Sequence, residues 1–342
     1  MKRRRGVGTV LAIALVISVI LAVGIGTVGI SPFDTVRLIG WKLGLTARPD
    51  VSRAAEVILF ELRLPRVLLA TVVGAALAVS GAVFQSLFRN PMADPAIVGV
   101  SSGAALGAIV VLLAGGAGVL GNLGLYAAAF AGALATAFLV YRLARIGPAV
   151  QVATLLLSGI AVAAVISAVI SLVMAFSGEQ IRSIYFWLLG GLQARGWEAV
   201  GTAAPIVLIG AGGAVAAAGR LNLLTLGDER AAQLGLDVER FKRSMLAAGA
   251  LLSAAAVAVA GVIGFVGLMT PHILRLVLGA DNRKLVPAVV LGGAIFMVLA
   301  DLAARTVLAP QEIPVGALTA LLGGPFFLYL LRRERRVAGA RG

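Results

Sequence analysis

Few residues of this 342-residue chain could do chemistry, and they are charged or proline-flanked groups set between apolar runs. One run holds Arg63-Leu64-Pro65-Arg66, then Gly81-Ala82-Val83-Phe84-Gln85, then Asn90-Pro91-Met92-Ala93-Asp94-Pro95. Phe84, Gln85 and Phe88 share a helical face by their spacing. With Met92 and the Asn90-Pro91 break they are candidates to line a polar cavity or pathway through the membrane, because main-chain groups freed at such breaks are tolerated where they face a cavity. Ordinary helix packing is the competing reading. A second run is Leu226-Gly227-Asp228-Glu229-Arg230-Ala231-Ala232-Gln233-Leu234-Gly235-Leu236. Asp228 can cap a short helix and Gly235 can end it with positive φ. Asp237 can cap another, in which Glu239 and Arg243 stand four apart and can pair. Two short helices so placed make a stiff knob that can push a partner or be pushed by one. A solvated loop is the blander alternative.

Bond-making chemistry finds little support. There is no cysteine, and the single histidine, His272, reads as a packed or capping group rather than a ligand. No cluster of His, Asp or Glu suits a metal or a paired acid and base, so no catalytic residue, metal or cofactor is expected. None of the four lysines follows a glycine, which excludes a Gly-Lys-Ser/Thr phosphate loop. ATP, if used, is handled by another chain. An ion-gradient carrier is the alternative of a different class, but such carriers place carboxylates in mid-membrane. Here Asp94 and Asp301 fall near span ends.

The elements that position these groups are set by composition. The chain is 60% hydrophobic and 13% charged, with a mean hydropathy of +1.04. Lipid must be the solvent for much of it, so the expected fold is an all-α polytopic membrane protein. The net charge of +14 suggests nucleic acid only until its positions are read. Lys2, Arg3, Arg4 and Arg5 precede the first apolar run, and Arg332, Arg333, Arg335 and Arg336 follow the last. That is the positive-inside pattern at both ends, which predicts cytoplasmic termini and an even number of spans. Ten spans fit, at 7–30, 64–88, 96–113, 123–141, 150–176, 200–218, 245–262, 265–278, 285–302 and 313–331, in a single transmembrane domain over 1–342. The first is too long for a typical signal segment and reads as a retained helix. A glycine-rich turn, Ala114 to Asn122, precedes the fourth, and the eighth is short and holds Pro271. Residues 226–240 then form an inner loop, and Tyr185, Phe186 and Trp187 form an outer interfacial belt. Ala76 to Val83 echoes Ala256 to Ile263, and extending both aligns Pro91 with Pro271. Those spans run in opposite directions, which an inverted five-helix repeat would explain. Arg63, Arg66 and Arg305 sit at outer span ends, where positive charge is disfavoured. Docking an acidic partner would explain them, as would snorkelling or pairing with Glu61 and Asp301.

Four segments in order, Arg63 to Gly107, Leu226 to Leu236, Gly264 to His272 and Ile313-Pro314-Val315-Gly316, resemble the FecCD family of ABC-importer permeases. The likeness extends from about Leu11 to Leu331 and is more specific than any single motif. It implies the type II importer permease fold, ten helices per subunit, and a homodimer with the path between its two copies. It implies two copies of a cytoplasmic ABC ATPase, docked on the loop Asp228, Glu229, Arg230, Ala231, Ala232, Gln233, Leu234 and Gly235. It further implies a periplasmic binding protein whose acidic residues meet Arg63, Arg66 and Arg305. The location would be the bacterial inner membrane. The family carries haem, ferric siderophores and cobalamin. The resemblance leans toward haem or a ferric siderophore, with cobalamin as the alternative.

Overall fold

With no water to bond to, a lipid-embedded backbone closes its hydrogen bonds within helices. A computed structural model describes residues 6–26, 29–115, 121–146 and 149–339, with backbone alone at 146, 149–150, 331 and 333–339. Lys2 to Arg5 and residues 116–120 of the glycine-rich turn lie outside the described residues, as do the side chains of Arg333, Arg335 and Arg336. The helices are α1 (Gly6–Gly24), α2 (Pro32–Lys42), α3 (Arg53–Val57), α4 (Leu64–Leu87), α5 (Val100–Leu113), α6 (Gly121–Leu143) and α7 (Val152–Phe176). There follow α8 (Ile181–Leu188), α9 (Trp197–Thr225), α10 (Asp228–Gln233), α11 (Val238–Ala260), α12 (Val266–Leu278), α13 (Asn282–Thr306) and α14 (Val315–Gly339). Strand pairing among the described residues is confined to Arg145–Ile146 against Ala149–Val150.

Seven helical stretches among the described residues are long and apolar enough to cross a bilayer: α1, the run Arg53–Leu87, α6, α7, α9, α11 and α13. Three shorter apolar helices, Val100–Leu113, Val266–Leu278 and Val315–Leu330, fall below the roughly 20 residues that a bilayer requires.

Several boundaries differ from those expected, for local reasons. The first span stops as helix at Gly24, not residue 30. The stretch 31–61, between the first two expected spans, is largely helical. Ser31 caps α2 by accepting from the Asp34 amide at 3.0 Å, and Ser52 caps α3 by accepting from Ala55 at 3.2 Å. A π-helical turn, Ile58–Arg63, joins α3 to α4. It accommodates Pro65, whose ring would clash with a carbonyl one turn back in a regular helix. The third span opens with a 3-10 turn, Pro95–Val98, and Gly99 (φ 82°) redirects it into α5. At the opposite end of the bundle the helices outlast the apolar runs. Asp237 accepts from the Arg240 amide at 3.1 Å and starts α11 seven residues before the expected 245. The second short helix of the knob is therefore the first turn of a long one.

The core lies around α4 and α11. Every residue of α4 from Val73 to Leu87 is buried, as is every residue of α11 from Leu252 to Ala260. The two halves of the sequence echo thus lie in the two most buried helices. They diverge at their glycines: Gly81 continues α4, whereas Gly261 (φ 71°) ends α11. Burial this complete in lipid depends on close backbone approach. A Cβ placed on Gly81 would overlap the Gly267 carbonyl of α12. Gly81→Leu is therefore expected to cost at least about 1–3 kcal/mol through overpacking. Thermal unfolding of the purified protein checks this, and an unchanged midpoint would show that α4 and α12 do not meet there.

The chain after Gly261 is irregular until Phe265, which holds φ 67°. Backbone groups near this break are satisfied within the protein. Gly191 N donates to Ala260 O at 2.8 Å, and Gly316 N donates to Gly190 O at 3.2 Å. A Cβ on Gly316 would overlap the Leu189 carbonyl. Gly316 and the segment from Gly264, two motifs far apart in sequence, thus flank one junction.

Candidate functional sites

One end of the bundle gathers the three singled-out arginines around Asp301. Arg66 of α4 donates through Nε to both carboxylate oxygens of Asp301 at 3.0 and 3.2 Å, and its Nη2 lies 2.9 Å from Oδ1. Its Nη1 reaches both oxygens of Glu312 at 3.0 Å. Arg305 approaches the same Asp301 at 3.5 Å, one helical turn away on α13. The Asp301 side chain is only 1% exposed, whereas Glu312 is 35% exposed. The network is thus buried on one side and open on the other.

Arg63 and Arg305 do a further job. Arg63 Nη1 donates to Val23 O at 3.1 Å and Gly24 O at 2.8 Å, while Arg305 Nη2 donates to Ala22 O. These carbonyls belong to the last turn of α1, where the helix dipole also favours a cation, and Gly24 O accepts from Ile30 N as well at 3.3 Å. Both side chains are buried, which corrects the expectation that all three arginines stand ready at a docking surface. Arg66 pairs with Glu312 and Asp301, not with Glu61. The sequence reading missed Glu312 as a partner, and it missed Arg195. Arg195 lies 3.3 Å from the Tyr126 hydroxyl, with its guanidinium 5.3 Å from the ring centre. Its signal was an arginine in a glycine-rich loop, Gly190 to Gly196. Arg63, Arg66, Arg195 and Arg305 line one cavity of about 600 Å³ together with Glu61 and Glu312. Cations outnumber anions around it.

The opposite end carries the knob. Gly227 (φ 104°), not Asp228, is the N-cap of α10, and no side chain caps that helix. Asp228 instead accepts from Lys242 of α11 at 2.5 Å and lies 3.5 Å from Arg89, just past α4. One carboxylate therefore braces the knob to two core helices. Ala231 is fully buried beneath α10, and Gly235 (φ 84°) turns the chain out of it. Glu229, Ala232, Gln233 and Leu234 are exposed, as is Arg230. Glu239 and Arg243 form no ion pair among the described residues, contrary to their spacing, although both line one small cavity; Arg243 also lines a groove beside α6.

The candidate path residues separate into two groups. Phe84 and Gln85 are sealed inside the subunit, which corrects their reading as path-lining in this conformation. Phe84 packs on Gly249, where a Cβ would overlap its ring. Gln85 Nε2 donates to Gly267 O and Leu268 O at 3.3 Å each, and its Oε1 accepts from Arg275 at 2.8 Å. Phe88 packs edge-on against Phe84, half-buried. Asn90 is exposed, while Pro91 and Met92 are half-buried in the turn that follows. A polar lattice continues outward from Gln85. Ser86 lies 3.1 Å from Asn282 Oδ1, the Asn282 amide donates to Asn222 at 2.8 Å, and Asn222 donates to Asp281 at 2.7 Å. The Asn222 bond, then the Arg283 amide and the charges of Lys284 and Arg283, hold the Asp281 carboxyl below the usual range. Its contribution to stability is thus present at neutral pH and fades as pH falls through that lowered value.

Trp187 is buried while Tyr185 and Phe186 are exposed, so the aromatic run is amphipathic rather than a uniform belt. His272 stacks edge-on to Phe326 at 6.1 Å. Among the described residues no group of three or more His, Asp or Glu is placed to hold a metal.

The described residues thus form a helical bundle with an exposed, braced knob at one end and a basic cavity at the other. The sequence pattern of the FecCD transport family matches residues 14–333, and the chain belongs to that family. It is 50% identical to the cobalamin import system permease protein BtuC of Halobacterium salinarum, over 84% of this chain and 76% of that one. It is 43% identical to the hemin transport system permease protein HmuU of Yersinia pestis, over 95% and 96%. A solved inward-facing structure of a transporter classed as a metal-chelate type ABC transporter superposes with a TM-score of 0.84, at 32% identity, over 96% of this chain and 99% of that chain. The chain is thus a multi-pass membrane protein of an ABC-importer permease family.

Proposed function

We propose that this chain is the permease subunit of an ATP-driven importer that carries a bulky metal chelate across the bacterial inner membrane. The observation that carries the reading is the family match over 14–333. In this reading ten helices cross the bilayer, the three short apolar ones included, as two inverted five-helix halves. Both termini and the knob face the cytoplasm. Two copies of the chain form the path, and two ATPase subunits dock on α10. Asp228 then passes their motion to α11 through Lys242 and to the end of α4 through Arg89. The Asn90–Met92 turn, next to Arg89, is where that motion reaches the path.

A binding protein docks at the basic cavity, and Arg66 is its contact. A partner carboxylate replaces Glu312, the half-exposed member of the network. Reversing Arg66 to Glu should weaken docking of the binding protein about tenfold or more, since it replaces attraction by repulsion at a desolvated pair. Glu312→Gln should tighten docking several-fold by freeing Arg66. Affinity measured on the reconstituted transporter decides. Equal affinities for all three proteins would remove Arg66 from the interface.

The cargo class follows relatives whose names specify cobalamin, hemin and Fe(3+)-citrate. All are metal chelates; haem or a ferric chelate is the reading carried here, with cobalamin, named for the relative of 50% identity, as the alternative. An absorption spectrum of the cognate binding protein purified from cells names the cargo through a Soret, corrinoid or charge-transfer band. Uptake into proteoliposomes that follows an ion gradient and ignores ATP would overturn the transporter class.

A further inference from the structure

Two facing helical stripes on the outside of the bundle have the shape of an amphiphile's berth. On α6, Leu134, Phe138 and Tyr141 recur at i, i+4 and i+7. On α11, Arg243, Ala247 and Ala250 recur at the same spacing. The stripes line one groove of about 390 Å³. The small alanines leave the room, and Phe138, 64% exposed, forms the open lip. The helices are antiparallel, so Tyr141 and Arg243 meet at the same end, the knob end. The groove is apolar over about two turns, roughly 11 Å, and polar at one tip only.

The charges at that tip favour an anion. Arg243 is exposed and makes no ion pair among the described residues. Arg142, Arg145 and Arg240 are exposed at the same end. A smaller cavity shares Tyr141 and Arg243 with the groove and adds Lys242 and Glu239. Lys242 is held by Asp228, which leaves Glu239 as the acid nearest the tip. A soluble anion would use the tip and leave the apolar berth unfilled, and a neutral lipid would fill the berth but gain nothing from Arg243.

We infer that this groove is a binding site for an anionic diacyl phospholipid, with its phosphate on Arg243 beside Tyr141 and one acyl chain along Ala247, Ala250 and Phe138. A basic side chain at the inner membrane surface attracts such lipids, and an aromatic phenol belongs at headgroup depth. The inference goes beyond the transport reading and does not depend on the cargo. It places a lipid one residue from Lys242, the partner of the knob's Asp228.

The test uses the full-length protein in phosphatidylcholine nanodiscs that carry a trace of diazirine-tailed phosphatidylglycerol, or of diazirine-tailed phosphatidylcholine. The anionic probe should label peptides spanning Leu134–Tyr141 and Leu246–Leu251 about fivefold more than the neutral probe, the ratio expected for one basic residue at an anionic headgroup. Arg243→Glu should abolish that preference, and Arg243→Lys should keep most of it. Ala247→Trp should remove labelling at the groove while labelling elsewhere on the protein persists. Equal labelling by the two probes, or labelling indifferent to Arg243→Glu, would reduce the groove to ordinary lipid contact and overturn the inference. No groove labelling by either probe would overturn it too, because a second copy or another chain would then cover the face.

Discussion

Asp301→Asn is expected to destabilise the protein by about 3–5 kcal/mol, the loss typical when one partner of a buried ion pair is removed. The side chain is 1% exposed and faces two guanidinium groups, Arg66 and Arg305. Neutralising it leaves both cations desolvated, and Arg305 cannot withdraw because it also holds the α1 carbonyl of Ala22. Arg66 keeps only Glu312. Adding Arg66→Met to Asp301→Asn should recover part of the loss, since an apolar replacement of a buried pair is often neutral. The double variant should still dock its binding protein poorly, because Arg66 is gone. Thermal unfolding of the three proteins, read beside binding-protein affinity, separates the two roles. An unchanged unfolding midpoint for Asp301→Asn would mean that water reaches this carboxylate and that the network is not a buried one.

Ala231→Trp is expected to reduce ATP-driven uptake at least tenfold, the loss a small misplacement can cause far from the reacting groups. Ala231 is the buried underside of α10, so an indole there must lift the knob from α11 and pull Asp228 from Lys242. In the docking proposed above, the exposed residues of α10 remain, so the ATPase should still associate and hydrolyse while uptake per ATP collapses. Asp228→Asn should act in the same direction but less severely, because it loosens the brace without displacing the helix. Proteoliposomes loaded with ATP, assayed for both hydrolysis and uptake, check the coupling. Full uptake by Ala231→Trp would make α10 a passive loop.

Much was legible in the sequence for one reason: the relevant forces act locally. Long apolar runs marked the seven described helices that are long enough to cross a bilayer. Asp237 and Gly235 set where α11 and α10 begin and end, because capping and positive φ involve only a few neighbouring residues. Arginines at span ends expected to face outward stood out against the charge rule. The order of four segments was enough to point to the family.

Tertiary structure decided the rest, because in lipid nearly every face of a helix is apolar and hydropathy no longer tells inside from outside. Nothing near Phe84 or Gln85 in the chain marks them as sealed. Gly249, Gly267 and Arg275, from the other half of the chain, seal them. Arg63 and Arg305 look alike with Arg66 in sequence, yet α1 claims the first two through its C-terminal carbonyls and leaves Arg66 to Asp301 and Glu312. Asp228 reads as a cap but serves as a brace, since Lys242 and Arg89 arrive beside it only when α4 and α11 pack. Hydrophobicity and capping could choose the helices; which charges meet depended on how closely glycine and alanine let those helices approach.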